Sequence, residues 1–146
     1  MQIERPAARV LCLAAGAVLL LRWRDPVDGR ELWEPPGGGL DPGETWEAAA
    51  RRELREEAGL EAAELAGPVM VARDYVWAGR RIVGDDAFFL ARWRDRPDVT
   101  LEATPELVGC EWEPVERLGA VAGLEPPELP ELLSSLRSAR PSRPSR

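Results

Sequence analysis

The chain has 146 residues, 45% hydrophobic and 31% charged, which suits one domain with its own apolar core. It has no histidine and no lysine, which excludes Ser-His-Asp and Cys-His catalysis, histidine-ligated zinc, lysine Schiff bases and the lysine-dependent P-loop. General base work and metal binding fall to 26 aspartates and glutamates, donors that favour magnesium or manganese, and the net charge of −7 argues against a nucleic-acid polymer or an anionic membrane as partner.

Residues 9–13 and 18–24 read as two strands joined through Ala14-Ala15-Gly16-Ala17, with Gly16 supplying the flexible turn position. The apolar run 10–21 is too short to span a bilayer. It meets Arg22-Trp23-Arg24 with no small-residue cleavage site, so it reads as buried strand and the expected compartment is the cytoplasm. Cys12 reads as a small core residue, and with Cys110 it makes no disulfide scaffold. Residues 25–29 are a dense turn signal, and 32–34 a short strand. The stretch Pro35-Pro36-Gly37-Gly38-Gly39 excludes helix and central strand and is expected to be a shaped loop. Thr45 then N-caps a helix that runs to Ala58 and ends at Gly59.

Beyond the helix, 69–76 is strand-like, 78–81 is a hairpin turn, 81–83 extends the far arm, and 86–93 is a buried strand around Phe88-Phe89. Residues 94–105 read as a polar loop holding a short strand, 111–113 lead through Pro114 into a short helix at 115–118, and 131–138 form a last helix. Residues 140–146, Arg-Pro-Ser-Arg-Pro-Ser-Arg, read as a disordered tail that leaves 1–139 as a single domain. Strands and helices intermix without a βαβ rhythm, which predicts the α+β class: an α/β/α sandwich with a mixed β-sheet. The arginine-, alanine- and glycine-rich composition fits a GC-rich, bacterial coding sequence.

Glu53, Glu56 and Glu57 share an arc of about 100° on the predicted helix. Glu53 and Glu57 repel at i,i+4, by about 0.2–0.5 kcal/mol in an isolated helix. All three oppose the dipole at the helix C-terminus, at roughly 0.3–1 kcal/mol each. A divalent cation between them explains this placement better than a solvated face does.

Gly38, Glu44 and Arg52-Glu53-Leu54-Arg55-Glu56-Glu57-Ala58-Gly59-Leu60 match G-x5-E-x7-R-E-U-x-E-E-x-G-U, where U is a bulky aliphatic, at every fixed position. This resembles the box of the Nudix hydrolases, and the flanking strand order is compatible with the Nudix fold. The resemblance implies magnesium, or manganese, on Glu53, Glu56 and Glu57, with the Gly38 carbonyl as a further ligand. Arg52 would orient the carboxylates, Glu44 would support the loop, and Gly38 and Gly59 would allow tight bends. It further implies water attack on a phosphorus of a nucleoside diphosphate derivative, with Glu53 as general base. Homodimers are frequent in the family, so a homodimer is also possible here.

A fourth acidic ligand is expected from a later loop, with Glu106 favoured over Asp85, Asp86 and Glu102. Trp33, Trp77, Trp93 and Tyr75 are candidates to stack on a base, and Arg22, Arg24, Arg73, Arg80 and Arg81 to hold phosphates. Trp33, Arg24 and Tyr75 lead this substrate-binding set.

The proline that marks ADP-ribose pyrophosphatases about fifteen residues past the box is Tyr75 here. The tyrosine position of dinucleoside polyphosphate hydrolases holds Val76 and Trp77. What remains resembles the short nucleoside triphosphate class that cleaves (d)NTP to (d)NMP and pyrophosphate, including nucleotide-pool sanitising enzymes. The alternatives are pyrophosphatases of ADP-ribose, dinucleoside polyphosphates or nucleotide sugars, and a non-catalytic nucleotide sensor. Sensors often lose box glutamates, and all are present here.

Overall fold

A computed structural model describes residues 2–139; Met1 and the tail expected at 140–146 lie outside the described residues. The elements run β1 (Gln2–Glu4), β2 (Ala7–Ala14), β3 (Ala17–Arg24), β4 (Glu31–Glu34), β5 (Gly37–Gly39), α1 (Trp46–Ala58), β6 (Ala66–Trp77), β7 (Arg80–Trp93) and β8 (Leu107–Pro114). A 3-10 helix (Val115–Ala120) and α2 (Leu129–Arg137) complete the order. Strand β7 is the spine: it pairs in parallel with β1 and β2 and antiparallel with β6. Strand β3 pairs antiparallel with β2, β4 and β8, so the sheet is mixed, as expected.

All eight residues of β2 are buried, which explains the unbroken apolar run. Alternate residues feed different cores. Val10 and Cys12 pack with Ala49, Ala50, Leu54 and Ala58 of α1. Leu11 and Leu13 pack with Leu129, Leu132, Leu133 and Leu136 of α2. One helix therefore covers each core, the two-sided sandwich expected from the sequence. Among the described residues no helix is long and apolar enough to cross a membrane.

Three local expectations are corrected, and one strand was not foreseen. The triglycine is a strand: Gly37, Gly38 and Gly39 pair with Arg9, Ala8 and Ala7. A Cβ at Gly37 would lie 2.5 Å from the Ala8 carbonyl oxygen, so bare backbone is what permits this approach. Residues 81–83 and 86–93 belong to one continuous strand, β7, which runs through Gly84 at φ 154°. The loop at 94–105 holds no strand; the pairing starts at Leu107, where β3 supplies the partner. Strand β1 was not expected, and its pairing to Arg81–Val83 is entirely non-local.

Candidate active site

Thr45 caps α1 by accepting from the Ala48 N–H at 3.1 Å, and Gly59 ends it in the left-handed conformation at φ 66°. The loop after β7 closes the same helix end: the Thr100 and Glu102 N–H groups donate to the Ala58 and Glu57 carbonyls at 3.0 Å.

Arg52 organises the acidic face. Its Nε and Nη2 make 2.8 and 2.9 Å bonds to the two oxygens of Glu44, and Nη2 also donates to the Gly39 carbonyl at 2.9 Å. Its Nη1 donates to Glu53 at 2.9 Å and to Glu56 at 3.1 Å. One planar fork thus ties the loop after β5 to two turns of helix. The Arg52 hydrogen bonds hold the Glu44 carboxyl down at about 2. Glu53 is pushed the other way by burial, against the pull of Arg52. A Cβ at Gly38 would stand 2.7 Å from the Glu53 carboxyl, so β5 passes directly over that group.

Glu57 is 6% exposed and accepts from the Gly37 N–H at 2.7 Å. Burial pushes its carboxyl up to about 8; the Gly37 bond opposes this and the charges of Glu53 and Glu34 add to it. Glu57 and Gly38 belong to the lining of a cavity of about 260 Å³. The walls include Trp23 and Leu32 from β3 and β4, and Tyr75 and Trp77 from β6; Arg5, Arg9, Arg30, Arg73, Glu34 and Glu125 supply charge.

Among the described residues no three acidic or thiol groups are already gathered as a metal cage. The donor set nevertheless fits magnesium or manganese by its chemistry. It is all oxygen, and its buried member, Glu57, ionises readily only beside added positive charge.

Tyr75 lines the cavity, with the Arg73 guanidinium 5.0 Å from its ring centre. Trp33 does not line it. On β4, Leu32 and Glu34 face the cavity, and Trp33 between them packs against the other core, with Arg22 5.6 Å from its ring centre. Arg24 is exposed and holds Glu31 by bonds of 3.1 and 2.8 Å. Trp93 packs on the α1 core, and Arg81 pairs with Asp74 on the surface.

Glu106 is absent from the cavity lining and accepts from the Thr104 hydroxyl at 3.1 Å. Asp86 is 2% exposed and committed to Arg9 and Arg73. Of the four later acids, Glu102 alone bonds the box helix, and through its backbone. The sequence reading missed Trp23, Arg5, Arg9 and Glu125. Their only early signal was residue type, because strand register and distant pairing bring them to the cavity.

The two-sided sandwich thus sets an Arg52-centred acidic helix beside a cavity with aromatic walls. A family model described as NUDIX domain matches residues 4–142, and the chain belongs to that family. It is 36% identical over 107 residues to an RNA pyrophosphohydrolase of Erythrobacter litoralis, covering 62% of this chain and 63% of that one. The chain thus spans a little under two thirds of that relative's length. It is 38% identical over 96 residues to a Mycobacterium tuberculosis protein named "Putative 8-oxo-dGTP diphosphatase 2", covering 63% of this chain and 67% of that one. Among solved structures, a C. elegans Ap4A hydrolase binary complex superposes with a TM-score of 0.63 at 26% identity, covering 92% of this chain and 96% of that one.

Proposed function

We propose that this chain hydrolyses a phosphoric anhydride in a nucleoside diphosphate-linked substrate, taking a (d)NTP to (d)NMP and pyrophosphate in the cytoplasm. The observation that carries the reading is continuity: Glu57 and Gly38 of the box and the aromatic residues Trp23, Tyr75 and Trp77 line one cavity. A base between aromatic walls would set its phosphates against the acidic helix.

Arg5 stands beside Gly39, its Nε 2.6 Å from where a Cβ would be, and its charge reaches Glu53. It is placed to hold a phosphate at the box end. Arg52 fixes Glu53 and Glu56 against rotation. Glu53, with a carboxyl raised by burial, takes the proton as the water oxygen bonds to phosphorus and the bridging P–O bond breaks toward pyrophosphate. Magnesium or manganese on Glu53, Glu56, Glu57 and the Gly38 carbonyl would supply neutralisation of the phosphates and a more acidic attacking water.

The test is phosphate and pyrophosphate release with magnesium from common NTPs and dNTPs, oxidised dGTP, ADP-ribose, a diadenosine polyphosphate and a nucleotide sugar, beside Glu57→Gln. Pyrophosphate release from triphosphates, lost in the variant, is the expected result. Turnover of ADP-ribose or a dinucleotide alone would overturn the substrate class. Nucleotide binding without turnover, equal in wild type and Glu57→Gln, would leave a sensor. The RNA pyrophosphohydrolase relatives favour a second reading, removal of pyrophosphate from a 5′-triphosphate RNA end. A triphosphorylated oligonucleotide belongs in the panel for that reason, against the expectation drawn from net charge.

A further inference from the structure

Five charged side chains form one run of ion pairs, and four of them, Glu34, Arg9, Arg73 and Glu125, line the cavity. Asp86 Oδ2 accepts from Arg9 Nε at 2.9 Å and from Arg73 Nη1 at 3.0 Å. Arg9 continues to Glu34 at 3.3 Å, and Arg73 to Glu125 Oε2 at 3.3 Å. Two guanidinium groups are thus shared among three carboxylates. The charge that the run offers the cavity at both ends is acceptor, not donor.

The two ends differ in position. Glu34 ends β4, just before Gly37, whose N–H donates to Glu57 of the box. Glu125 comes from the segment before α2 and lines the same cavity. Its backbone is tied down: the Glu125 N–H donates to the Trp33 carbonyl at 2.8 Å, and Leu124 bridges Trp33 beside it. Arg73, which holds Oε2, is itself fixed by Asp86 and stacked on Tyr75. Glu125 is therefore an anchored acceptor beside the aromatic walls, with Oε1 free of the Arg73 bond.

An ionised carboxylate only accepts hydrogen bonds. Guanine offers it two adjacent donors, the ring N1–H and the 2-amino group. Adenine and cytosine set one amino donor beside an acceptor ring nitrogen, which a carboxylate oxygen repels. Thymine and uracil set one N–H between two carbonyls.

On the nucleotide-hydrolase reading above, we propose that Glu125, held by Arg73, selects a guanine-type base through its N1–H and 2-amino edge. A charged hydrogen bond of this kind is worth about ten- to a hundredfold in discrimination.

The experiment compares kcat/KM for dGTP, dITP, dATP, dCTP and dTTP, and the binding of GMP, IMP and AMP by calorimetry in EDTA. Wild type is expected to favour dGTP over dATP by about tenfold or more, with dITP between them because it keeps N1–H and lacks the amino group. In Glu125→Gln that ratio collapses toward one, mainly through KM, while Glu125→Asp keeps part of it. A wild-type ratio within twofold, or a variant that slows every substrate alike, overturns the proposal. If no triphosphate is turned over, the triphosphate substrate class fails by itself. The base-reading claim then stands on whether GMP outbinds AMP in wild type and ceases to do so in Glu125→Gln.

Discussion

Glu57 couples the stability of the metal-free protein to pH in a direction opposite to most salt-bridged carboxylates. Its carboxyl is pushed from an ordinary 4.5 up to about 8, chiefly by burial. Below pH 4.5 both the folded and unfolded chains hold this proton. Between 4.5 and 8 the unfolded chain has released it and the folded chain has not, so stability falls as pH rises and levels off above 8. The interval from 4.5 to about 8, at about 1.36 kcal/mol per pH unit, sets the scale at ~5 kcal/mol. At roughly 4 °C per kcal/mol for a chain of this size, the midpoint would shift by some 15–20 °C.

Glu57→Gln removes the titration and keeps an acceptor for the Gly37 N–H. Thermal unfolding in EDTA, read from pH 4 to 9 on both proteins, isolates the effect. The variant is expected to match wild type near pH 4 and to exceed it progressively toward pH 8. Saturating magnesium is expected to restore wild type at pH 8, by about 2.7 kcal/mol at a hundred times Kd, and to do much less for the variant. Parallel curves for the two proteins across pH 5–9 in EDTA would refute the burial argument, and with it the reason for a cation at Glu57.

Three further outcomes follow from the contacts. Gly37→Ala places a Cβ 2.5 Å from the Ala8 backbone oxygen, whereas Gly38→Ala meets a side chain, the Glu53 carboxyl, at 2.7 Å. Chemical denaturation should therefore show the first strongly destabilised, and the second folded but with kcat down by about a hundredfold. Glu44, held at about 2 by Arg52, contributes stability present in full above pH 4.5 and lost as pH falls toward 2. Acid titration of Glu44→Gln should flatten that limb. Asp86→Ala leaves Arg9 and Arg73 buried without their shared partner and should cost about 3–5 kcal/mol in urea unfolding. A cost below 1 kcal/mol would show that the pair is not needed to hold the cavity floor.

The acidic helix was legible in the sequence because everything that defines it is local. Thr45, Gly59 and the spacing of Ala49, Ala50, Leu54 and Ala58 dictate its ends and its buried face. Glu53, Glu56 and Glu57 then follow from 100° per residue. The two-sided core was legible as well, since β2 and β3 are apolar on both faces.

The cavity was decided by tertiary structure alone. Trp23 faces it and Trp33 does not, because β4 pairs with β3 in a register that sets Trp23 against Leu32 and Arg22 against Trp33. A slip of one residue would exchange them, and residue type carries no record of register. Glycines 37–39 form a strand only because β2 lies alongside. Arg9 meets Asp86 across 77 positions, and Glu125 enters from the segment before α2. Local spacing along the chain set the chemistry available to this protein. Which side chains surround a substrate rests on pairings between distant strands, and only the folded chain brings those together.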